Sequence, residues 1–441
     1  MSFAQIAAFT VAETLAARIR SRQARVGIVG LGYVGLPLAV EFARAGFPVT
    51  GIDLNEQKVA RVNCGVSYVG DIPSATLAPL VEAGKLRASS EFDELLDLDT
   101  VNICVPTPLR KTKDPDMSYI VSSCEEIAKR LHPGMLVILE STTYPGTTEE
   151  LVLPMLSQSG LEVGRDFFLC FSPERVDPGN PQFQTANIPK VVGGCTPACT
   201  EMGRLFYSQA LDRIVPVSST QVAEMVKLLE NTFRMINIGL VNEMALMCDR
   251  MGINVWEVVD AAATKPFGYM PFYPGPGLGG HCIPIDPFYL SWKTRQAGIE
   301  ARFIELAGYI NGQMPHFVAD KVRNALNDAG KPVKGSRIHV MGVAYKRDID
   351  DLRESPALDV MMLLERRGAV LTYSDPHVPT VRMDGWELTA SPEEAAANAD
   401  CVVIVTDHSA FDYGALVLRS RLIVDTRNAL RGIASEKIVR L

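Results

Sequence analysis

The feature that most constrains this chain is the string Gly30-Leu31-Gly32-Tyr33-Val34-Gly35, which follows an apolar run at 26–29 and opens a helical pattern. Gly30 allows a tight turn, Gly32 lets backbone amides approach a pyrophosphate at the positive end of a helix, and Gly35 allows close helix packing. Asp53 closes the next apolar run, at 49–52. A carboxylate there accepts hydrogen bonds from both ribose hydroxyls and repels a 2′-phosphate. This context predicts a dinucleotide-binding α/β domain that prefers NAD to NADP.

The alternation continues with nearly continuous apolar runs at 100–105, 136–140, 167–171 and 191–192, separated by helical stretches. Such runs suit strands buried on both faces of a parallel sheet. Ahead of them, 3–22 reads as an amphipathic helix, with Phe3, Ile6, Ala7, Leu15 and Ile19 at apolar positions, that packs on its own domain. A long helical pattern without proline covers 219–251, where Val222, Val226, Leu229, Phe233 and Ile236 recur three or four residues apart. Ile238, Leu240, Val241, Met244, Leu246 and Met247 wrap its later surface, predicting burial on several sides and a dimer interface. A Pro/Gly-rich segment at 266–287 follows, then a helical stretch to about 322. The α/β pattern restarts with runs at 337–343, 369–373, 401–405 and 422–425 and a helix across 356–367. The expected fold is α/β, with two Rossmann-like, doubly wound domains at 1–217 and 323–441 joined by a central helical domain at 218–322.

A chain of 441 residues exceeds what one core usually organises, and 47% hydrophobic with 21% charged residues argues for packed domains. The net charge of -8 and pI near 5.4 leave no general footprint for nucleic acid or an anionic membrane. Nine cysteines lack the dense spacing of a disulfide scaffold, and Cys195 with Cys199 has no second ligand pair nearby. Reduced thiols in the cytoplasm and no metal are expected. Glu13, Arg18, Arg20 and Arg22 interrupt the apolar N-terminal stretch, so neither a signal peptide nor a membrane span is expected.

Ligands of open α/β sheets sit beyond the carboxyl ends of the strands, where Thr107, Thr142 and Glu174 fall; each also reads as a turn or cap residue. The segment at 274–286 sets four glycines ahead of Cys282 and places Asp286 four residues later. Such a loop exposes amides to an anionic phosphate and a thiol to a carbonyl carbon, although a small buried cysteine is the ordinary reading. Lys227, Asn231 and Arg234 share one face of the long helix, either as a solvated stripe or as a cationic cleft face on which Lys227 and Asn231 stabilise a developing oxyanion. Lys346 and Arg353 lie in a loop that also holds three aspartates, where they form a solvated charge cluster or face a diphosphate.

In this order, GLGYVGLP, ESTTYPGTT, SPERVDPG, VKLLENTFR, GLGGHCIPIDP and DDLRESP make the chain resemble the UDP-glucose/GDP-mannose dehydrogenase family over essentially its whole length. VPTPL, KPFG, PFYPGPGLGG and GVAYKRDIDDLRESP are most similar to bacterial members that oxidise UDP-N-acetylglucosamine at C6 for surface polysaccharide. The resemblance implies two successive hydride transfers to two NAD molecules, from alcohol to aldehyde and then from a cysteine thiohemiacetal to a thioester that water hydrolyses. It makes Cys282 the nucleophile, gives Lys227 and Asn231 the oxyanion and reacting water, and gives Asp286 and Glu174 proton transfer and hydrolysis. Tyr33, Val34, Asp53, Lys58, Thr107, Thr142 and Arg353 match cofactor positions. Arg175, Val176, Arg234, Gly279, Tyr345 and Lys346 match positions for a UDP-linked hexose, held largely by the C-terminal domain. A homodimer or higher homo-oligomer is implied as well.

Two positions depart from the family pattern. Gly268 stands where many members place an arginine from the partner subunit, with Lys265 the nearest basic residue. Ile285 stands where some glucose-specific members have lysine, which leans away from UDP-glucose. UDP-N-acetylmannosamine, UDP-N-acetylgalactosamine and UDP-glucose are the alternative substrates. A two-electron dehydrogenase of the β-hydroxyacid type and a non-catalytic nucleotide-sugar sensor are the competing readings.

Overall fold

A computed structural model of the chain describes residues 10–108, 115–177, 180, 182–280, 282–383 and 385–441. It divides into two units, Met1–Leu229 and Glu230–Leu441. The division falls inside one continuous helix, Thr220–Met251, within a residue of the expected span.

In the first unit the apolar runs become strands β1 (Val26–Val29), β2 (Val49–Ile52), β4 (Thr100–Ile103), β5 (Leu136–Leu139), β6 (Phe168–Phe171) and β7 (Lys190–Gly194). Every residue of these strands is buried, which is why they read as continuous apolar stretches rather than alternating ones. Two further strands, β3 (Leu86–Ser89) and β8 (Ile214–Pro216), complete a sheet ordered β3-β2-β1-β4-β5-β6-β7-β8. Both are edge strands and only partly buried, so they lack the apolar signature that marks the others. The pairing is parallel except at β6 and β7, which run antiparallel, a departure from the all-parallel expectation. The order reverses between β1 and β4, which opens a ligand crevice beyond their carboxyl ends.

The N-terminal helix is Val11–Arg20, started by a reciprocal capping box between Thr10 and Glu13. Leu15 and Ile19 are buried in the same core as Phe42 and Phe206, whereas Phe3, Ile6 and Ala7 lie outside the described residues.

The second unit has a parallel sheet of β9 (Arg337–Met341), β10 (Val370–Ser374), β13 (Cys401–Ile404), β14 (Ile423–Asp425) and β15 (Ile438–Arg440), ordered β10-β9-β13-β14-β15. A separate antiparallel hairpin joins β11 (Thr380–Met383) to β12 (Trp386–Thr389). The hairpin and β15 were not foreseen, since their residues are mostly polar or half-exposed. Helix Arg302–Asp328 outruns its expected end and accommodates Pro315. Ile310, Met314, Val318, Val322 and Leu326 form its buried side.

On the later part of the long helix, Val241, Ala245 and Cys248 are buried, but Leu240, Met244 and Met247 remain 56%, 36% and 45% exposed. Burial on several sides is therefore not supplied by the described residues of the chain. No helix among the described residues is long and apolar enough to cross a membrane.

Candidate active site

The turn after β1 is packed behind and open in front. Gly30 has φ 93°, and a Cβ there would lie 2.6 Å from the Cys104 carbonyl oxygen, while one on Gly35 would enter the Gly30 carbonyl. A Cβ on Gly32 would meet nothing within 4 Å. A pyrophosphate fits that open face, against the amides that begin helix Gly35–Arg44. Asp53 is fixed at the end of β2. Its Oδ2 accepts from the Leu31 amide at 2.9 Å and the Lys58 ammonium at 3.1 Å, and its Oδ1 from the Asn55 amide at 2.9 Å. Tyr33 is exposed and Val34 half-buried at the start of the helix. The loops after β4 and β5 are tied together where Thr107 Oγ1 donates to the Thr142 carbonyl at 2.8 Å. The residues present thus fit NAD.

Glu174 follows β6. Its Oε1 accepts the amides of Arg175 and Val176, both at 2.7 Å, and its Oε2 lies 3.5 Å from the Lys190 ammonium. Burial opposes ionisation here, yet Lys190, the two amides and Lys227 hold the carboxyl below its usual range. Lys227 is buried, and Arg175 itself reaches the Pro189 carbonyl at 2.6 Å.

Sequence reasoning missed what stands behind Glu174. Lys190 also meets Glu140 at 2.5 Å, and Glu140 accepts from Asn102 at 2.8 Å and from the Tyr207 hydroxyl. The available signal was a charged residue at the margin of each of two apolar runs. Also missed was Glu224, a buried carboxylate on the long helix. It accepts from the Gly146 amide at 2.6 Å and from the Thr148 amide and hydroxyl at 2.9 and 2.7 Å, and so grips the loop that carries Thr142. Burial, against these hydrogen bonds, pushes its pKa up to about 7.

In the second unit, the partly exposed Cys282 turns the chain into helix Asp286–Gln296, its carbonyl accepting the Ile285 and Asp286 amides at 3.0 and 2.8 Å. Asp286 thereby occupies the first turn, where the helix dipole favours a carboxylate. Asn231 donates to it at 2.5 Å, and Arg234 donates to Asn231 Oδ1 at 2.5 Å. Three of the predicted residues thus form one chain of hydrogen bonds. His281 lies outside the described residues.

The glycines ahead of Cys282 are held by distant parts of this unit. A Cβ on Gly279 would fall 2.5 Å from Tyr345 Cβ, and one on Gly280 2.8 Å from the Tyr345 ring. The Gly280 amide donates to the Arg353 carbonyl at 2.9 Å. The loop at 345–356 carries strain, with Asp348 and Glu354 at φ 61° and 50°. Arg353 pairs with Asp351 at 2.5 Å, and Lys346 is half-buried. The Gly275 amide donates to Asn242 at 2.9 Å, Asn242 to Asn311 at 2.8 Å, and Asn311 to the Met235 carbonyl at 3.2 Å, a ladder that the sequence did not disclose. Asp348, His377 and His408 lie close enough to hold a metal ion, but both His408 nitrogens are engaged at 3.0 Å, one by the Asp348 amide and one by Asp375.

A glycine turn of this shape, closed by an acidic residue, defines the class: an NAD-binding protein of the doubly wound α/β type. The NAD binding, central and UDP binding domain models of the UDP-glucose/GDP-mannose dehydrogenase family match residues 24–211, 221–313 and 339–432, and the chain belongs to that family. It is an oxidoreductase, an NAD-dependent nucleotide-sugar dehydrogenase. The solved UDP-D-ManNAc dehydrogenase of Pyrococcus horikoshii is 34% identical with a TM-score of 0.87, covering 94% of this chain and 98% of its own. The UDP-N-acetyl-D-glucosamine 6-dehydrogenase of Pseudomonas aeruginosa is 36% identical over 88% of this chain and 91% of its own length. The NDP-N-acetyl-D-galactosaminuronic acid dehydrogenase of Ralstonia nicotianae is 37% identical over 91% of this chain and 95% of its own.

Proposed function

We propose that this enzyme converts UDP-N-acetylglucosamine to its C6 carboxylate, UDP-N-acetylglucosaminuronic acid, for surface polysaccharide, through a covalent thioester on Cys282. The observation that carries the mechanism is the second unit's arrangement, with Cys282 on a glycine loop directly ahead of the buried Asp286–Asn231 pair. In the first oxidation the C6 alcohol passes its hydroxyl proton to Asp286 and gives up a hydride to become an aldehyde. The Cys282 thiolate then adds to that carbon, Asn231 and Lys227 steady the oxyanion, and loss of a second hydride leaves the thioester. NAD, when bound, supplies the hydride acceptor at each oxidation. Water next attacks the thioester carbonyl, the carbon–sulfur bond breaks, and the Cys282 thiolate is regenerated. Glu174 takes the water proton in this step and Asp286 assists proton transfer.

The open glycine turn, Asp53, Lys58, Thr107 and Thr142 hold the cofactor, joined by Tyr33, Val34 and Arg353. Arg175, Val176, Arg234, Gly279, Tyr345 and Lys346 hold the sugar nucleotide. The ranges of the three family models support a division into cofactor, central and UDP-sugar domains at 1–217, 218–322 and 323–441. Exposed Phe233, Leu240, Met244, Met247 and Met251 on the long helix favour a homodimer, the second copy covering an apolar stripe. A thiol nucleophile and nine cysteines without a disulfide favour the cytoplasm.

UDP-N-acetylmannosamine is the competing substrate, favoured by the names that several relatives carry. The decisive experiment measures NADH formed per limiting sugar nucleotide with the gluco, manno and galacto acetamido sugars and with UDP-glucose. About two NADH with the gluco sugar is expected. The same yield with the manno sugar alone keeps the mechanism and changes the substrate. One NADH removes the thioester step, and none with all four sugars restores the sensor reading.

A further inference from the structure

The first unit contains a buried ionic chain that none of the roles above uses. Glu140 is 1% and Lys190 4% exposed, and their head groups meet at 2.5 Å. Tyr207 and Asn102, both fully buried, close around Glu140 from the far side. At its near end, the Lys190 ammonium stands 3.5 Å from Glu174 Oε2, the carboxylate oxygen that the Arg175 and Val176 amides leave unclaimed. A buried ion pair adds little net stability over apolar residues of the same size. A pair that ends on a carboxylate in the candidate site therefore calls for a reason beyond folding.

We propose that Lys190, neutralised from behind by Glu140, is a positioning residue for Glu174, orienting its carboxylate and keeping it in the base form during thioester hydrolysis. The proposal rests on the reading of Glu174 as the carboxylate that accepts the water proton. In that step a bond forms between water oxygen and the acyl carbon, the carbon–sulfur bond breaks with its electrons on sulfur, and the proton goes to Glu174. No electron is transferred. The charged and titratable groups around the pair are Glu140 after β5, Cys104 after β4, Tyr207 on helix Pro197–Tyr207, and Lys227 on the long helix. Burial works against the Lys190 charge, but Glu140 and Glu174 together hold it firmly protonated. Lys190 in turn works with Lys227 and the two amides to keep Glu174 ionised.

The test is the pH profile of acid release in single turnovers, compared with KM for both substrates. The double variant Glu140→Gln/Lys190→Met removes both members of the pair, so that neither is left charged without the other. Its acid limb should move up by about one to two pH units, with KM nearly unchanged and a pre-steady-state burst of NADH. Glu140→Gln alone leaves Lys190 to Glu174 and should move the limb down, and Lys190→Arg should hold it in place. A merely structural pair predicts the same direction for the single and double variants. A Glu140→Gln limb that coincides with the parent's overturns the proposal even if the double variant does not fold. Glu174→Gln separates the two ideas: full turnover without a burst removes the base assignment itself.

Discussion

This enzyme carries two glycine-rich loops, one in each unit, and their glycines exist for different reasons. In the turn after β1, Gly30 and Gly35 answer to each other and to the adjacent strand, where Gly35 has no room beside the Gly30 carbonyl and Gly30 none beside Cys104. In the loop before Cys282, Gly279 and Gly280 are pressed on Tyr345, and Gly275 lies with its missing Cβ 2.6 Å from Arg427 Nη1. The first loop takes its shape from close neighbours, its own residues and one adjacent strand. The second is a seat for Cys282 whose shape is cut by residues far along the chain.

The largest break in this comparison is chemical. Cys282→Ser should lower acid production by about four orders of magnitude while leaving NAD binding intact, read by product analysis and cofactor titration. Full acid production by that variant refutes the nucleophile assignment. Next, Gly279→Ala should cost about 100-fold in kcat/KM by displacing the loop about 1 Å from Tyr345, with little change in NAD affinity. A kinetically silent Gly279→Ala would show that the second seat is looser than its contacts.

The first loop should separate its own glycines. Gly32→Ala is expected to keep Tm and raise KM for NAD about tenfold, whereas Gly35→Ala should cost about 1–3 kcal/mol of stability. Equal losses of Tm would mean that the open face before Gly32 is not open in solution. The smallest effect belongs to Glu224, whose folded pKa of about 7 lies above the ordinary 4.5. Its neutral form therefore contributes stability that is complete below about 4.5 and is lost as pH rises through about 7. Tm of the parent should fall across that window by an amount worth at most about 3 kcal/mol, and Glu224→Gln should flatten the slope.

The legible parts of the molecule were those in which a short stretch carries its own reason. Strands β1, β2, β4, β5 and β6 announced themselves because burial on both faces demands continuous apolar residues. Edge strands β3, β8 and β15 did not, since one exposed side relaxes that demand. The antiparallel placement of β7 was hidden for another reason, because strand direction depends on where the intervening chain returns rather than on strand composition. The same limit applied to the site. Cys282, Asp286 and Asn231 were picked out by motif, but the Asn242–Asn311 ladder under their loop joins positions 69 residues apart and leaves no periodic trace.

Local sequence alone determined the glycine turn after β1, the acidic residue that closes β2, the long helix and the presence of a thiol on a glycine loop, because turn geometry, strand burial and helix period act over a few residues. Only the tertiary structure decided that Lys190 stands between Glu140 and Glu174, that Glu224 grips the Thr142 loop, and that Tyr345 shapes the glycine loop ahead of Cys282. Those arrangements are set by burying charge and excluding volume among residues from separate elements, and which residues pair in that way has no signature along the chain.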